Sequence, residues 1–393
     1  MPGRSARRLC QRGQACWAHH SFRKWHARDR RRELGRPAPS DASLAQLDRG
    51  PLAMMPHILF LTVRMQPGFG VAVVIEEISR RLIARGVRVS VGCQEMSGDF
   101  GTLPVRRVAA DSAQLSALVE KLGASHVIAH ASPYFEVLPT LRGVSTWAWE
   151  HGDPDPDFFS RSRSERQAQI QRKKTAVYPN LDGVIAISDF IRDQIGWPAA
   201  QVIRNGWEHV LKSDTTTTQE ITLSAQTGQL KVGCLMRLGR GEERYKGGEL
   251  YRALARTCTQ AHFSLMGRGD AEDEARYAAA GIQVFRNASD AEREAYLREI
   301  DVFVSPSLWE GCNLPLLEAQ AQGTASLSFD TGAHPEFGAL VCGSVGEMSR
   351  LIQHWQDQRD ALEAESRRIQ HWVRSRLSWD DAVDALMHTL LSP

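Results

Sequence analysis

Apolar runs of strand length alternate with amphipathic helical stretches along the chain from residue 57 onward. His57-Ile58-Leu59-Phe60-Leu61-Thr62-Val63 reads as a buried strand. A loop follows, Gln66-Pro67-Gly68-Phe69-Gly70, and then a helical pattern from Val71 to Ala84 that Arg85-Gly86 ends. Val87–Val91 is the next strand. This is a βαβ unit with a glycine loop at the carboxyl end of its first strand, where doubly wound sheets bind ligands. The rhythm continues with a helix over Ser112–Leu122, a strand over Val127–His130, and a strand at Val184–Ile187 that enters a helix capped by Ser188. A second series opens at Leu230–Met236. It runs through strands at Phe263–Met266, Ile282–Arg286, Asp301–Val304 and Ala325–Phe329. Strands alternating with helices predict α/β architecture with parallel sheets.

The series divides the chain. Residues 55–212 form a first lobe and 230–376 a second. The polar, Thr-rich stretch 213–229 links them. Val345–Arg376 reads as long polar helices, and Ser378 caps a last amphipathic helix within 377–393. Residues 1–54 show neither period and no apolar core of a secretory signal, so a disordered basic extension is expected. Within it, residues 1–52 carry a balance of +8, which leaves −6 for the remainder of a chain of net charge +2. A mildly acidic body excludes a general nucleic-acid-binding surface. The seven cysteines are scattered, with no C-x-x-C, so neither a disulfide framework nor a zinc site is indicated and a cytoplasmic setting fits. No apolar run is long enough to span a membrane.

The chemistry concentrates in Ser305-Pro306-Ser307-Leu308-Trp309-Glu310-Gly311-Cys312-Asn313-Leu314-Pro315-Leu316-Leu317-Glu318-Ala319. A buried strand leads into a glycine-bearing loop and then a helix start, with Asn313 as cap and Pro315 suited to the first helical position. Free N–H groups near Gly311, Cys312, Asn313 and Leu314, with the positive end of the helix dipole, suit a phosphate. Glu310 and Glu318 can each accept from two hydroxyls. Phosphate on the helix start and hydroxyls on the carboxylates describe a nucleotide-sugar.

The spacing of Glu310 and Glu318, followed by Ala319 and Gly323-Thr324, resembles the E-x7-E motif of retaining GT-B glycosyltransferases, glycosyltransferase family 4 in particular. The resemblance covers roughly residues 56–390. It implies two Rossmann-like doubly wound lobes facing a central cleft, with the nucleotide-sugar held mainly by the second lobe and the last helix crossing back to the first. It also implies transfer of a hexosyl group with retention, no essential metal and no cofactor beyond the nucleotide-sugar substrate. By matching position, Gly68 and Gly70 approach the donor phosphate or the acceptor, His151 faces the transferred sugar, and Gly267 lies where the base is held. Arg237 and Lys246 match the family's phosphate-gripping pair, on a stretch read as a glycine-bearing loop from Gly239 to Gly248. The family's "pNGvd" segment corresponds to Arg204-Asn205-Gly206-Trp207-Glu208, with Arg204 in place of the proline.

The expected partners are a nucleotide-sugar donor and a glycan or lipid-linked acceptor. The basic stretch 158–176 is either a solvated helix face or a peripheral contact with a phosphorylated lipid or anionic membrane. Two alternatives share the outline: an epimerase or phosphorylase of the same fold, and a non-catalytic protein that binds a nucleotide-sugar.

Overall fold

The computed structural model describes residues 56–211, 223, 226 and 228–391. The basic extension and most of the stretch read as a linker lie outside those residues. The first sheet contains β1 (His57–Met65), β2 (Arg88–Met96), β3 (Val105–Arg107), β4 (His126–Ala129), β5 (Ser145–Glu150), β6 (Gly183–Ala186) and β7 (Gln201–Val202). Their spatial order is β3-β2-β1-β4-β5-β6-β7. The second sheet contains β8 (Lys231–Leu235), β9 (His262–Gly267), β10 (Gln283–Arg286), β11 (Val302–Ser305), β12 (Ala325–Phe329) and β13 (Leu340–Cys342), in the order β10-β9-β8-β11-β12-β13. Every pairing in both sheets is parallel. This is the GT-B arrangement of two Rossmann-like lobes.

Parallel strands covered on both faces need unbroken apolar runs. Ile58, Leu59, Phe60 and Leu61 of β1 and Val302, Phe303 and Val304 of β11 are accordingly fully buried. β2 runs five residues beyond the apolar run that predicts it, to Met96, because Gly92 to Met96 continue the ladder with β1. Gly92 fits that strand for a steric reason: a Cβ there would stand 2.8 Å from the side chains of Leu61 and Val108.

In each sheet the strand order reverses at the first strand of the lobe, at β1 between β2 and β4 and at β8 between β9 and β11. Ligands of such sheets bind outside the carboxyl ends of strands at that switch point. Those ends carry Gln66–Gly70 after β1, His130 after β4, Arg237 after β8 and the Pro306–Asn313 loop after β11.

The chain passes between the lobes around Asn205–His209 and again near Leu377–Trp379. The last helix, Trp379–Leu391, packs on helix Gly70–Ala84 of the first lobe. Arg85 pairs there with Asp380 at 3.1 Å and with Asp384. The two crossings touch: a Cβ on Gly206 would lie 2.2 Å from the backbone nitrogen of Trp379.

Candidate active site

Helix Leu314–Ala321 follows β11 and is buried on nearly every side, Pro315 being its one half-buried position. Leu314 takes the first helical position and Pro315 the second, one later than its sequence suggests. The second position also lacks an intrahelical acceptor for its N–H, so proline costs nothing there. Asn313 caps the helix by accepting from the Leu316 N–H at 3.2 Å, while its amide donates to Ser305 Oγ at 2.8 Å. No acidic side chain lies in the first turn.

The Pro306–Asn313 loop is braced on several sides. The Leu308 N–H donates to the Tyr245 carbonyl at 2.7 Å, and the Ala333 N–H to the Glu310 carbonyl at 2.9 Å. Gly332, at φ +59°, lies so close that a Cβ would stand 2.5 Å from the Glu310 carbonyl oxygen. Glu310 is therefore fixed rather than swinging in solvent. It is 7% exposed, and its Oε1 accepts from Lys246 Nζ at 2.9 Å.

Lys246 reaches that position from a short helix. The stretch read as a loop folds as helix Arg240–Lys246, with Gly239 at its start and Gly247 at φ +70° ending it. Glu242 and Glu243 lie in its first turn and Arg244 and Lys246 in its last, which suits the helix dipole. Gly247 presses on the loop after β11, where a Cβ would meet the Pro306 carbonyl oxygen at 1.9 Å. Arg237 lies elsewhere on the rim. It pairs with Glu242, and its guanidinium stacks over Phe69 of the first lobe at 4.3 Å. Lys246 and Glu310 thus meet directly, whereas Arg237 joins the site across the seam between the lobes.

Phe69 belongs to the glycine loop. Gly68 adopts φ +73°, and helix Gly70–Ala84 starts at once with no side-chain cap and no acidic residue in its first turn. Its first N–H groups are available to an anion. Gly267 ends β9 against the backbone of Met236, and the adjoining Arg268 donates to the Pro67 carbonyl at 3.1 Å. The Gly68–Gly70 and Gly267 turns therefore face one another.

His151 follows β5, and His130, which the sequence reading left unassigned, follows the neighbouring β4. Their rings share a hydrogen bond of 2.9 Å between His130 Nδ1 and His151 Nε2. Burial lowers the pKa of both, that of His151 to about 4. The pair is neutral at neutral pH, with one proton between the two facing nitrogens. Two ends of adjacent parallel strands carrying histidine was the signal available for His130.

Glu318 is 1% exposed. Its Oε1 lies 2.9 Å from His209 Nε2 and 3.4 Å from Arg293, and its Oε2 has no hydrogen-bond partner. Burial favours the protonated acid, but Arg293 and His209 outweigh it and hold the carboxyl below its ordinary range. Burial pushes the Cys312 thiol in the same loop up to about 12, so it is no nucleophile.

The basic stretch 158–176 divides on folding. Arg161, Arg163 and Arg172 are exposed, but Lys173 is buried, 2.9 Å from Glu150 and 2.5 Å from Asp153. Phe158 and Phe159, just before helix Arg163–Arg172, reach Tyr245 of the second lobe with ring centroids 6.1 and 5.7 Å away. Glu336 also bridges the lobes: its carboxylate accepts from the N–H groups of Asp189 and Phe190 at 2.9 and 2.7 Å and pairs with Arg204 at 3.1 Å. Among the described residues no group of three or more His, Cys, Asp or Glu side chains is arranged to hold a metal, and no helix is long and apolar enough to cross a membrane.

Residues 69–208 match the family described as Glycosyltransferase Family 4, and residues 232–357 match Glycosyl transferases group 1. This chain belongs to the group 1, family 4 glycosyltransferases. Solved structures of this architecture resemble the glycosyltransferase along most of its length. Sucrose-phosphate synthase from Thermosynechococcus elongatus superposes with a TM-score of 0.69 at 15% identity, covering 85% of this chain and 98% of that one. Anabaena Alr3699/HepE in complex with UDP and glucose gives 0.68 at 17% identity, covering 86% and 100%. A curated relative, the MMP alpha-(1->4)-mannosyltransferase of Mycolicibacterium hassiacum, is 44% identical over 64 residues. That match spans 16% of the glycosyltransferase and 15% of the relative.

Proposed function

We propose that this glycosyltransferase moves a hexosyl group, with retention, from a UDP- or GDP-sugar to a hydroxyl of a glycan or lipid-linked acceptor, in surface polysaccharide or glycoconjugate synthesis. The observation that carries the reading is the 2.9 Å pair of Lys246 and Glu310 in a braced loop at the switch point of the second sheet. A cation and a hydroxyl acceptor then stand side by side, as a sugar diphosphate requires. The HepE structures hold UDP and UDP-glucose, which supports a nucleotide-sugar donor.

In this reading the growing charge of the departing diphosphate is met by Lys246, Arg237 and the N–H groups near Gly311–Leu314, with those of the Gly68–Gly70 turn opposite. Such preorganised charge is usually the largest single contribution to catalysis, and losing one contact costs on the order of 10²–10³ in kcat. Glu310 orients the sugar ring, Glu318 takes ribose hydroxyls, the Gly267 turn lies beside the base, and the neutral His151 steadies a sugar hydroxyl. Among the described residues no side chain is placed as a covalent nucleophile. The acceptor proton passes to the leaving phosphate as the new bond forms on the face the phosphate leaves. Neutralisation by side chains gives the chemistry no need of a metal. The exposed arginines of 161–172 would let the enzyme meet an anionic bilayer carrying a lipid-linked acceptor.

The test is a panel of UDP- and GDP-sugars followed by thermal shift, since a ligand at 100 times its Kd adds about 2.7 kcal/mol. Turnover of the stabilising donor is then measured in Glu310→Gln and Lys246→Ala. Both variants are expected to stay folded and lose turnover; unchanged turnover in both would refute the site. The product's anomeric configuration reports retention, and an epimerase would alter the sugar of a donor incubated alone.

A further inference from the structure

Three residues far apart in sequence make a continuous chain of hydrogen bonds from the hinge to the site. The indole N–H of Trp379 donates to His209 Nδ1 at 3.2 Å. An indole can only donate, so Nδ1 must accept, and the ring proton sits on Nε2. That N–H points at Glu318 Oε1, 2.9 Å away. His209 and Trp379 are themselves 6% and 0% exposed. His209 stands on the first crossing between the lobes and Trp379 on the second, and Glu208 ties the two by accepting from the Trp379 backbone N–H at 3.0 Å.

We propose that His209 and Trp379 are positioning residues that set the rotation of the Glu318 carboxylate, and so couple the grip on the nucleoside to the angle between the lobes. The proposal rests on the reading that Glu318 takes ribose hydroxyls. His209 occupies Oε1 together with Arg293, which leaves Oε2 as the unpartnered acceptor. The carboxylate is fully buried and cannot reorient against solvent. Its direction is therefore set by the ring and the Arg293 guanidinium that donate to it, the ring being the nearer, and the ring's direction by the indole. Gly206 leaves no room between the crossings, so a rotation at the hinge that displaces Trp379 carries His209 with it. Opening the lobes turns Glu318 away from the nucleoside; closing them restores it.

The experiment measures the Kd of UDP and of GDP, competition by inorganic pyrophosphate, and donor kinetics in His209→Leu, His209→Gln, Trp379→Phe, Glu318→Gln and the His209→Leu/Glu318→Gln double variant. A hydrogen bond to a charged group corresponds to roughly 10- to 100-fold in affinity. His209→Leu is expected to weaken the preferred nucleotide at least about 10-fold, with pyrophosphate affinity and kcat at saturating donor changed less than about threefold. Trp379→Phe should shift in the same direction by less, and His209→Gln, which keeps a donor, should recover part of the loss. The double variant should bind no worse than Glu318→Gln alone, because coupled residues are not additive. Additive losses, or equal weakening of nucleotide and pyrophosphate, would give His209 a purely structural role and overturn the proposal. Should His209→Leu not fold, Trp379→Phe and His209→Gln carry the same comparison. If Glu318→Gln itself leaves nucleotide binding intact, the ribose assignment fails and the relay with it. If Glu318→Gln weakens binding while the His209 and Trp379 variants do not, the relay alone fails.

Discussion

The backbone carbonyl oxygen of His151 lies against Gly311, so close that a Cβ added to the glycine would stand 2.4 Å from it. The first lobe's candidate sugar-facing histidine and the second lobe's candidate phosphate loop are thus in van der Waals contact through backbone. A methyl group at Gly311 must push this loop and the segment after β5 apart by the better part of an ångström. Displacements of that size cost on the order of 10²-fold in rate when reacting groups are otherwise aligned. Gly311→Ala is expected to lower kcat/KM for donor by one to two orders of magnitude and to cost about 1–3 kcal/mol in stability, because the obstructing atom is backbone and cannot step aside. A variant with parental kinetics would show that the contact carries no alignment.

The interlobe contact of Glu336 predicts a stability effect. Its two oxygens satisfy N–H groups of Asp189 and Phe190 at a helix start, in the manner of a cap supplied from the other lobe. Substituting a capping side chain by alanine costs about 0.5–2 kcal/mol. Glu336→Ala should lose that amount in urea unfolding and should increase hydrogen exchange at Asp189 and Phe190. Exchange at the parental rate would mean that the caps are replaced by water without loss.

Lys173 separates a buried charge from its solvated neighbours. Its ammonium is enclosed with Glu150, which also accepts from the Tyr178 hydroxyl at 2.5 Å. Removing one partner of a buried pair leaves the other uncompensated, at about 3–5 kcal/mol. Lys173→Met is expected to destabilise by that much in chemical denaturation, whereas the exposed Arg172→Ala should stay within about 0.5 kcal/mol. Equal effects would place both on the surface.

Acid should weaken the fold through the histidine pair. His151 titrates near 4 in the folded chain and at its ordinary 6.5 when unfolded. Between those values the unfolded state binds more protons, so stability rises with pH there. The contribution is fully present above 6.5 and is lost as pH falls toward 4. Burial depresses His130 in the same direction. Urea unfolding at pH 7.5, 6 and 5 should show His151→Gln losing less stability on acidification than the parent, by an amount on the order of 1–3 kcal/mol across the window. Parallel curves would refute this.

The lobes were legible because strands buried on both faces must be written as apolar runs, as at Ile58–Leu61 and Val302–Val304, and because helix starts such as Ser188 and Asn313 carry their caps in sequence. The Glu310 loop was legible for the same reason, being bounded by a buried strand and a capped helix. Helix Arg240–Lys246 was not, since seven residues flanked by glycines look like a loop until Gly247 is seen pressed on Pro306. The burial of Lys173 was hidden inside a polar run whose other members face water. Glu336 with Asp189, and His209 with Glu318, are more than a hundred positions apart. No local period encodes such pairings, because they depend on where two folded lobes meet.

The last helix has a practical consequence for dissecting the molecule. Trp379–Leu391 follows the whole second lobe in sequence yet covers helix Gly70–Ala84, so the first lobe is not a contiguous segment of polypeptide. A fragment stopping near residue 211 would expose the apolar stripe that Val383 and Leu386 otherwise shield. A soluble first lobe should be obtained only by permuting the chain, with the terminal helix joined ahead of β1, or by supplying that helix as a separate peptide.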